Sequence, residues 1–321
     1  MRFAFFSLRH DPNGASRLHA DLMNALIERG HEVFYALPFW LVDNPFWLPC
    51  LAEKVNAMRV PRMGGFDAVF YSHPDSYMPA YPLTPLVKAC DAVRRFFILR
   101  TFLPGHIAIA ADPDIEKIAT SLWLHEQAGF FARPQAPPQH GNRIHKVLGG
   151  VNLAHFRPPA NPARNACSLP RVLFRDSRDT LDGTATVREA LDILRARDVQ
   201  FEPVPFGGNE SQIVRQYREC DVCVSGEADW GSGWSSSVAE AMACGCSVAC
   251  GDVPAVRHLA EEGVTARVVP PANSRAMADA VEDLLADSTL RRQLADAAAQ
   301  RVAQYSTERM AEQIVEIVRS R

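Results

Sequence analysis

No stretch of this chain reaches the roughly 18 consecutive apolar residues that a membrane-crossing helix requires. No GK[ST] occurs, which excludes a Walker A phosphate loop, and no G-x-G-x-x-G spacing occurs, which excludes a dinucleotide fingerprint. There is no excess of basic charge either. The formal net charge is −3, so no global field draws the 321 residues to nucleic acid. No internal repeat of 20–50 residues is visible. The opening MRFAFFSLRHDPNG holds too short an apolar run for a signal-peptide core, and the expected location is the cytoplasm. Eight cysteines are present, with Cys220 and Cys223 as a CxxC and Cys244, Cys246 and Cys250 nearby. A zinc site needs about four ligands, usually as two pairs at fixed spacing. CDVCVS reads instead as a buried strand and CGCSVAC as a helix end leading into another, so the thiols are expected to be free, reduced and buried.

What remains is ordinary globular composition, 47% apolar and 22% charged, with enough length for two α/β domains of about 150 residues. RFAFF (2–6), the helical spacing of Leu18, Leu22, Ala25 and Leu26, the stop at Gly30 and HEVFYAL make a βαβ unit. DAVFYSH is the next strand, YPLTPLVKACDAV a helix and RRFFILRT a strand. GHIAIAA (105–111) is predicted as a strand followed by a helix from about Pro113, and IHKVLGGVN as a short strand and turn. Residues 38–51 carry two Phe-Trp pairs among prolines. They are either a core-packing loop or an acceptor wall or membrane-surface contact around Trp40 and Trp47. The proline-rich stretch 157–170 reads as an interdomain linker.

The alternation then restarts. Strands are predicted at 171–174, VQFEPVPFG, DVCVSG, CSVACG and VTARVVP. Helices are predicted at TATVREALDILRAR, SQIVRQYREC, SSSVAEAMACG, AVRHLAEEG and 275–303, with an amphipathic last helix at 307–319 after a break at Tyr305–Ser306. Two such blocks imply two doubly wound, Rossmann-like domains, 1–158 and 168–305, with the 306–321 helix packing back on the first.

Ligands of open parallel sheets sit beyond the carboxyl ends of the strands, and a helix starting there offers free N–H groups and a positive dipole end. Two segments fit. PNGASR (12–17) lies between the first strand and helix, where Gly14 permits close backbone approach. EADWGSGWSSSVAEAMACG (227–245) leads into a helix that Ser235, Ser236 or Ser237 can cap. Glu240 sits one turn in. It either accepts hydrogen bonds from a vicinal diol, as a ribose presents, or is a first-turn acid balancing the dipole.

With these residues in view, GWSSSVAEAMACGCSVACGDVPAVRHL resembles the donor-site signature of the family 4 GT-B glycosyltransferases. NGASRLHADLMNALIERGHEV, GGVNLAHFRP (149–158) and VTARVVPPANSRAMADAVEDLLADSTLRRQLADAA are similar to that family's first βα loop, interdomain turn and C-terminal run, in the same order. The resemblance implies a GT-B fold, α/β with two Rossmann-like domains facing a central cleft. It implies a nucleoside-diphosphate sugar donor and transfer to an acceptor hydroxyl with retention, without cofactor or essential metal. It implies a saccharide or lipid-linked acceptor in glycan or glycolipid synthesis, and no nucleic-acid partner.

By the same resemblance Glu240 holds the nucleotide ribose, and Ser235, Ser236 and Ser237 supply the turn that meets the diphosphate. Gly14 and Ala15 close on the donor from the first domain, and Gly207 and Gly208 lie near the base. Departures are visible. The first acid of the family's E-x7-E pair falls on Ser232 without gaps. With a four-residue insertion, Glu227 or Asp229 supplies it. The family's Arg and Lys after the first strand of the second domain fall on Ser177 and Asp182, with Arg175 or Arg178 as substitutes, since guanidinium pairs well with phosphate. FILRT ends in Arg100 and Thr101 where a His is usual. His73 matches an earlier family His near the cleft, or is a polar strand end. These departures also fit a degenerate, non-catalytic relative that binds a nucleotide sugar or a partner transferase. Alanine-, arginine- and proline-rich usage is associated with bacterial GC-rich genomes. A bacterial polysaccharide-pathway enzyme, peripheral at the inner membrane face, is compatible with all of this.

Overall fold

The computed structural model describes residues 1–8, 14–44, 49–132, 143–159, 169–176, 183–228 and 231–320. It divides into two compact units, one of residues 1–150 with 307–321 and one of residues 151–306. Among the described residues no helix is long and apolar enough to cross a membrane.

Unit 1 runs β1 (Arg2–Phe6), α1 (Gly14–Glu28), β2 (Glu32–Leu37), α2 (Phe39–Val42), β3 (Glu53–Asn56), β4 (Phe66–Tyr71), α3 (Leu83–Ala89), β5 (Ala92–Leu99), α4 (Ile107–Ala111), β6 (Glu116–Ala119), α5 (Leu122–Ala132) and β7 (Ile144–Lys146). All pairings are parallel, in the order β3-β2-β1-β4-β5-β6-β7. The order reverses between β1 and β4, the switch point where open sheets take ligands. Period-two alternation sends Phe3 and Phe5 to one face and Ala4 and Phe6 to the other, each into its own core. On the first face Phe5, Phe70 and Phe96 stack at 4.6 and 5.2 Å. Phe39 and Trp40 of α2 are exposed, and Trp47 lies outside the described residues.

Unit 2 runs β8 (Arg171–Arg175), α6 (Thr184–Ala196), β9 (Glu202–Phe206), α7 (Glu210–Glu219), β10 (Val222–Ser225), α8 (Ser236–Ala243), β11 (Ser247–Gly251), β12 (Arg267–Val269), α9 (Ser274–Ala286) and α10 (Ser288–Val302). Its five strands are parallel, ordered β12-β11-β10-β8-β9, with the reversal between β8 and β10. The last helix, α11 (Thr307–Arg319), belongs to unit 1, where Met310, Ala311, Ile314, Val315 and Val318 enter the core that α1 also covers. Arg94 of β5 donates to the carbonyls of Ile317 and Ser320, satisfying acceptors that a helix end leaves open. Glu116 joins Arg94 to His145.

Four expected elements are revised. Residues 105–111 are not a strand: a 3-10 turn opened by Pro104 runs into the alanine-rich helix α4. The helix expected from about Pro113 starts only at Leu122 as α5, and the stretch before it is strand β6. Its charged pair Glu116-Lys117 disguised it, because Lys117 is wholly buried and its ammonium reaches the Asp112 carbonyl. Burial pushes that lysine down to about 8. AVRHLAEEG (255–263) makes turns, not a helix: the Ser235 N–H donates to the Ala255 carbonyl at 3.0 Å, and the Leu259 and Ala260 N–H groups both turn to the Val256 carbonyl. Residues 275–303 are two helices, parted at Asp287, whose side chain accepts from Thr289 and Leu290 to cap α10.

Candidate functional site

The switch point of unit 2 carries a pocket. Its wall includes Arg175 at the end of β8, Phe206 at the end of β9, Gly226 and Glu227 after β10, and Ser237 of α8, over a floor that includes Tyr217. The strands reach this point because VCVS is buried along its whole length between β8 and β11. The turn into α6 then meets the turn out of β10. Gly183 holds φ +69°, and a Cβ there would stand 1.5 Å from the Gly226 carbonyl oxygen. A Cβ on Gly226 would stand 2.3 Å from the Gly183 oxygen. Two glycines therefore let two backbones touch beside the pocket. Thr184 pins the rim by donating its hydroxyl to the Arg175 carbonyl at 3.1 Å.

The start of α8 is fixed from two sides. Ser235, 1% exposed, is its N-cap, and its Oγ accepts from the Val238 N–H at 3.4 Å. The same hydroxyl donates to Glu227 Oε1 at 2.7 Å, and the Ser237 hydroxyl donates to that oxygen at 3.3 Å. A carboxylate at a helix N-terminus is favourable, and it keeps both hydroxyls in place. The backbone N–H groups of Ser236 and Ser237 have no protein acceptor among the described residues, as the first turn of a helix dictates. The arrangement offers an anion two main-chain donors and an arginine, and offers a flat group the ring of Phe206. No lysine occurs after Lys146, so cationic contacts in unit 2 fall to arginine.

The structure brings Arg175, Glu227 and Ser237 together on the pocket wall, with Ser235 and Ser236 at the adjoining helix start. Gly207 and Gly208 follow Phe206 and are exposed, Gly208 at φ +107°. Glu240 is buried at 3% exposure. It stands among the thiols of Cys223 and Cys244, which burial, more than the neighbouring carboxylate, pushes up, Cys244 to about 12. Gly14 and Ala15 open α1 in unit 1, and His73 follows β4 there, its ring 5.1 Å from that of Tyr77. Asp229, Arg178, Ser177 and Asp182 lie outside the described residues. The seven described cysteines are free, and among the described residues no group of three His, Cys, Asp or Glu could hold a metal. Sequence reasoning missed Phe206, Gly183 and Gly226. The DG before the α6 pattern was the available signal for Gly183.

The family model described as "Glycosyl transferases group 1" matches residues 201–301. Among curated proteins no match was found. Solved structures match over the whole chain. Anabaena Alr3699/HepE in complex with UDP-glucose gives a TM-score of 0.76 at 14% identity, covering 100% of both chains. Sucrose-phosphate synthase from Thermosynechococcus elongatus gives 0.75 at 17%, covering 99% of this chain and 98% of that one. A glycosyltransferase from Rickettsia africae gives 0.72 at 14%, covering 99% and 97%. The fold, parallel sheets in two Rossmann-like domains, is that of the GT-B glycosyltransferases.

Proposed function

We propose that this chain is a glycosyltransferase that moves a sugar from a nucleoside-diphosphate sugar to an acceptor hydroxyl, with the nucleotide bound in unit 2. The observation that carries the reading is the pocket at the β8/β10 switch point. There Arg175 and the free first-turn N–H groups of α8 converge, within and beside the stretch that matches the glycosyl transferases group 1 model. The leaving nucleoside diphosphate gains negative charge as the glycosidic bond breaks. Fixed N–H donors and a guanidinium stabilise that charge without reorganising. Glu240 holds the ribose in this reading, Phe206 and the Gly207–Gly208 turn face the base, and Glu227 sets the hydroxyls of Ser235 and Ser237 beside the diphosphate. His73 and the Gly14–Ala15 turn act from unit 1. Retention of configuration belongs to the same reading, with a donor phosphate oxygen taking the acceptor's proton and no metal required. So do a saccharide or lipid-linked acceptor and a cytoplasmic, membrane-peripheral setting in bacterial glycan synthesis. The complex of the similar Anabaena protein with UDP-glucose makes UDP the first nucleotide to try.

Calorimetric titration with UDP, GDP and dTDP tests the proposal. One of them is expected to bind, and Glu240→Gln to weaken it about 10-fold or more, the loss of a hydrogen bond to a charged acceptor. Absence of binding by all three refutes the reading, and unchanged affinity in Glu240→Gln removes Glu240 from the ribose. A second reading, a non-catalytic nucleotide-sugar binder, is favoured by one observation. The Glu227 carboxylate already occupies both helix-start hydroxyls, placing negative charge where a diphosphate would be received. Tight nucleotide binding with neither transfer nor hydrolysis across UDP-, GDP- and dTDP-sugars decides for it.

A further inference from the structure

The switch point of unit 1 is also furnished. Ser72 follows β4, Arg100 follows β5, and the second turn of α1 brings His19 beneath the end of β1, its ring 6.3 Å from that of Phe5. β1, β4 and β5 are sheet neighbours, so these side chains share one edge. His19 is 2% exposed and Ser72 6%. The His19 Nε2, the Ser72 Oγ and the Arg100 Nε are all buried, and none has a hydrogen-bond partner among the described residues.

Among the described residues, the charged groups that act on His19 are both cationic. Burial, then Arg100 and His73, holds His19 well below its ordinary value. Burial also pushes Arg100 down to about 10, and the one group opposing that effect is the phenol of Tyr35. Elsewhere in unit 1 arginines meet carboxylates: Arg94 with Glu116, Arg29 with Glu312, Arg2 with Glu32. Among the described residues no carboxylate pairs with Arg100. A half-buried guanidinium whose Nε is enclosed and which has no counter-charge among the described residues is costly, as are the buried donors of His19 and Ser72 without acceptors. An oxyanion would answer all three groups at once, taking hydrogen bonds from the guanidinium, the hydroxyl and an imidazole N–H.

We propose that His19, Ser72 and Arg100 form an oxyanion-binding site in unit 1, which receives a carboxylate or phosphate carried by a substrate. The site stands on its own geometry. Its assignment to a substrate of sugar transfer rests on the function proposed above. Two sources supply the chemistry, a donor sugar bearing a carboxylate or an acceptor bearing a phosphate.

The full chain is titrated with inorganic phosphate, glucuronate and glycerol 3-phosphate against chloride of matched ionic strength, and the His19 ring is followed by NMR. Bound negative charge is expected to raise the pKa of His19 in the wild type and to leave it unmoved in Arg100→Met. Arg100→Met is further expected to keep or raise Tm, because it removes a half-buried charge that no carboxylate among the described residues pairs, whereas a structural arginine would lose Tm. Ser72→Ala, a smaller change, is expected to weaken the response several-fold. A His19 unmoved by all three anions overturns the proposal. So does an equal response in Arg100→Met, or a marked fall in its Tm. A response to glucuronate over glycerol 3-phosphate assigns the donor sugar, to be checked by UDP-glucuronate against UDP-glucose. The reverse order assigns the acceptor. Anion binding here without nucleotide binding in unit 2 sinks the transferase reading and leaves this site intact. Nucleotide binding with a silent His19 does the opposite.

Discussion

Replacing Gly183 by alanine tests whether backbone contact shapes the pocket of unit 2. The new Cβ would lie 1.5 Å from the Gly226 carbonyl oxygen, and contacts below 3.0 Å essentially do not occur. One of the two turns must therefore retreat by 3.0 − 1.5 = 1.5 Å. Alanine at φ +69° adds a left-handed cost of about 1 kcal/mol, and overpacking adds roughly 1–3 kcal/mol. A total near 3 kcal/mol corresponds to a fall in Tm of about 6–12 °C for a domain of this size. Gly226→Ala needs a retreat of only 3.0 − 2.3 = 0.7 Å from the Gly183 oxygen and is expected to cost less. Calorimetry should show one transition, that of unit 2, moving in this order while that of unit 1 stays. Isothermal titration should show nucleotide affinity falling in the same order, because the turn that moves carries Glu227. A Gly183→Ala protein with wild-type Tm and wild-type affinity would refute the contact and its role in shaping the pocket.

Two other predictions concern unit 1. Burial pushes the Glu116 carboxyl up, but hydrogen bonds from His145 and Arg94 and the Arg94 charge outweigh it and hold it at about 2. Its folded value lies below its ordinary 4.5, so the stabilisation is full above 4.5 and is lost as pH falls toward 2. It amounts to about 3 kcal/mol. Urea unfolding from pH 6 to 3 should therefore be markedly flatter in Glu116→Gln, and an unchanged slope would deny the depressed carboxyl. Ile314→Ala in α11 empties a fully buried position and should cost about 2–5 kcal/mol, seen as a lower urea midpoint for unit 1. A shift below 0.5 kcal/mol would mean that α11 does not hold that core together.

The alternation of strand and helix in two blocks was legible because the central strands β1, β2, β4, β10 and β11 are short buried apolar runs and most helices keep a 3.6 period, as in α1 and α11. Legibility failed where a long-range contact overrode the local pattern. The Ser235 N–H donates to the Ala255 carbonyl in a segment patterned as a helix, and a fully buried Lys117 makes β6 look like a solvated helix. At the site, the helix-cap pattern and the family resemblance pointed to Ser235 to Ser237, and the resemblance alone to Glu227 and Arg175 as alternatives to Asp229 and Arg178. The Gly183–Gly226 contact and the approach of Phe206 join turns 43 and 20 residues apart (226 − 183 and 226 − 206), and only the sheet order brings them together. Gathering His19, Ser72 and Arg100 requires the same knowledge.

The return of α11 to the first unit sets a timetable for synthesis. Residues 1–150 leave the ribosome with the α1 side of their core uncovered, and the helix that covers it is encoded after the whole of unit 2. At about 5–20 residues per second the wait is roughly 10–30 s. The core that Leu18, Leu22 and Leu26 share with α11 stays incomplete throughout that interval. Unit 2 carries no such debt and can close as soon as α10 emerges. Degradation of a stalled chain would begin at the older, unfinished half.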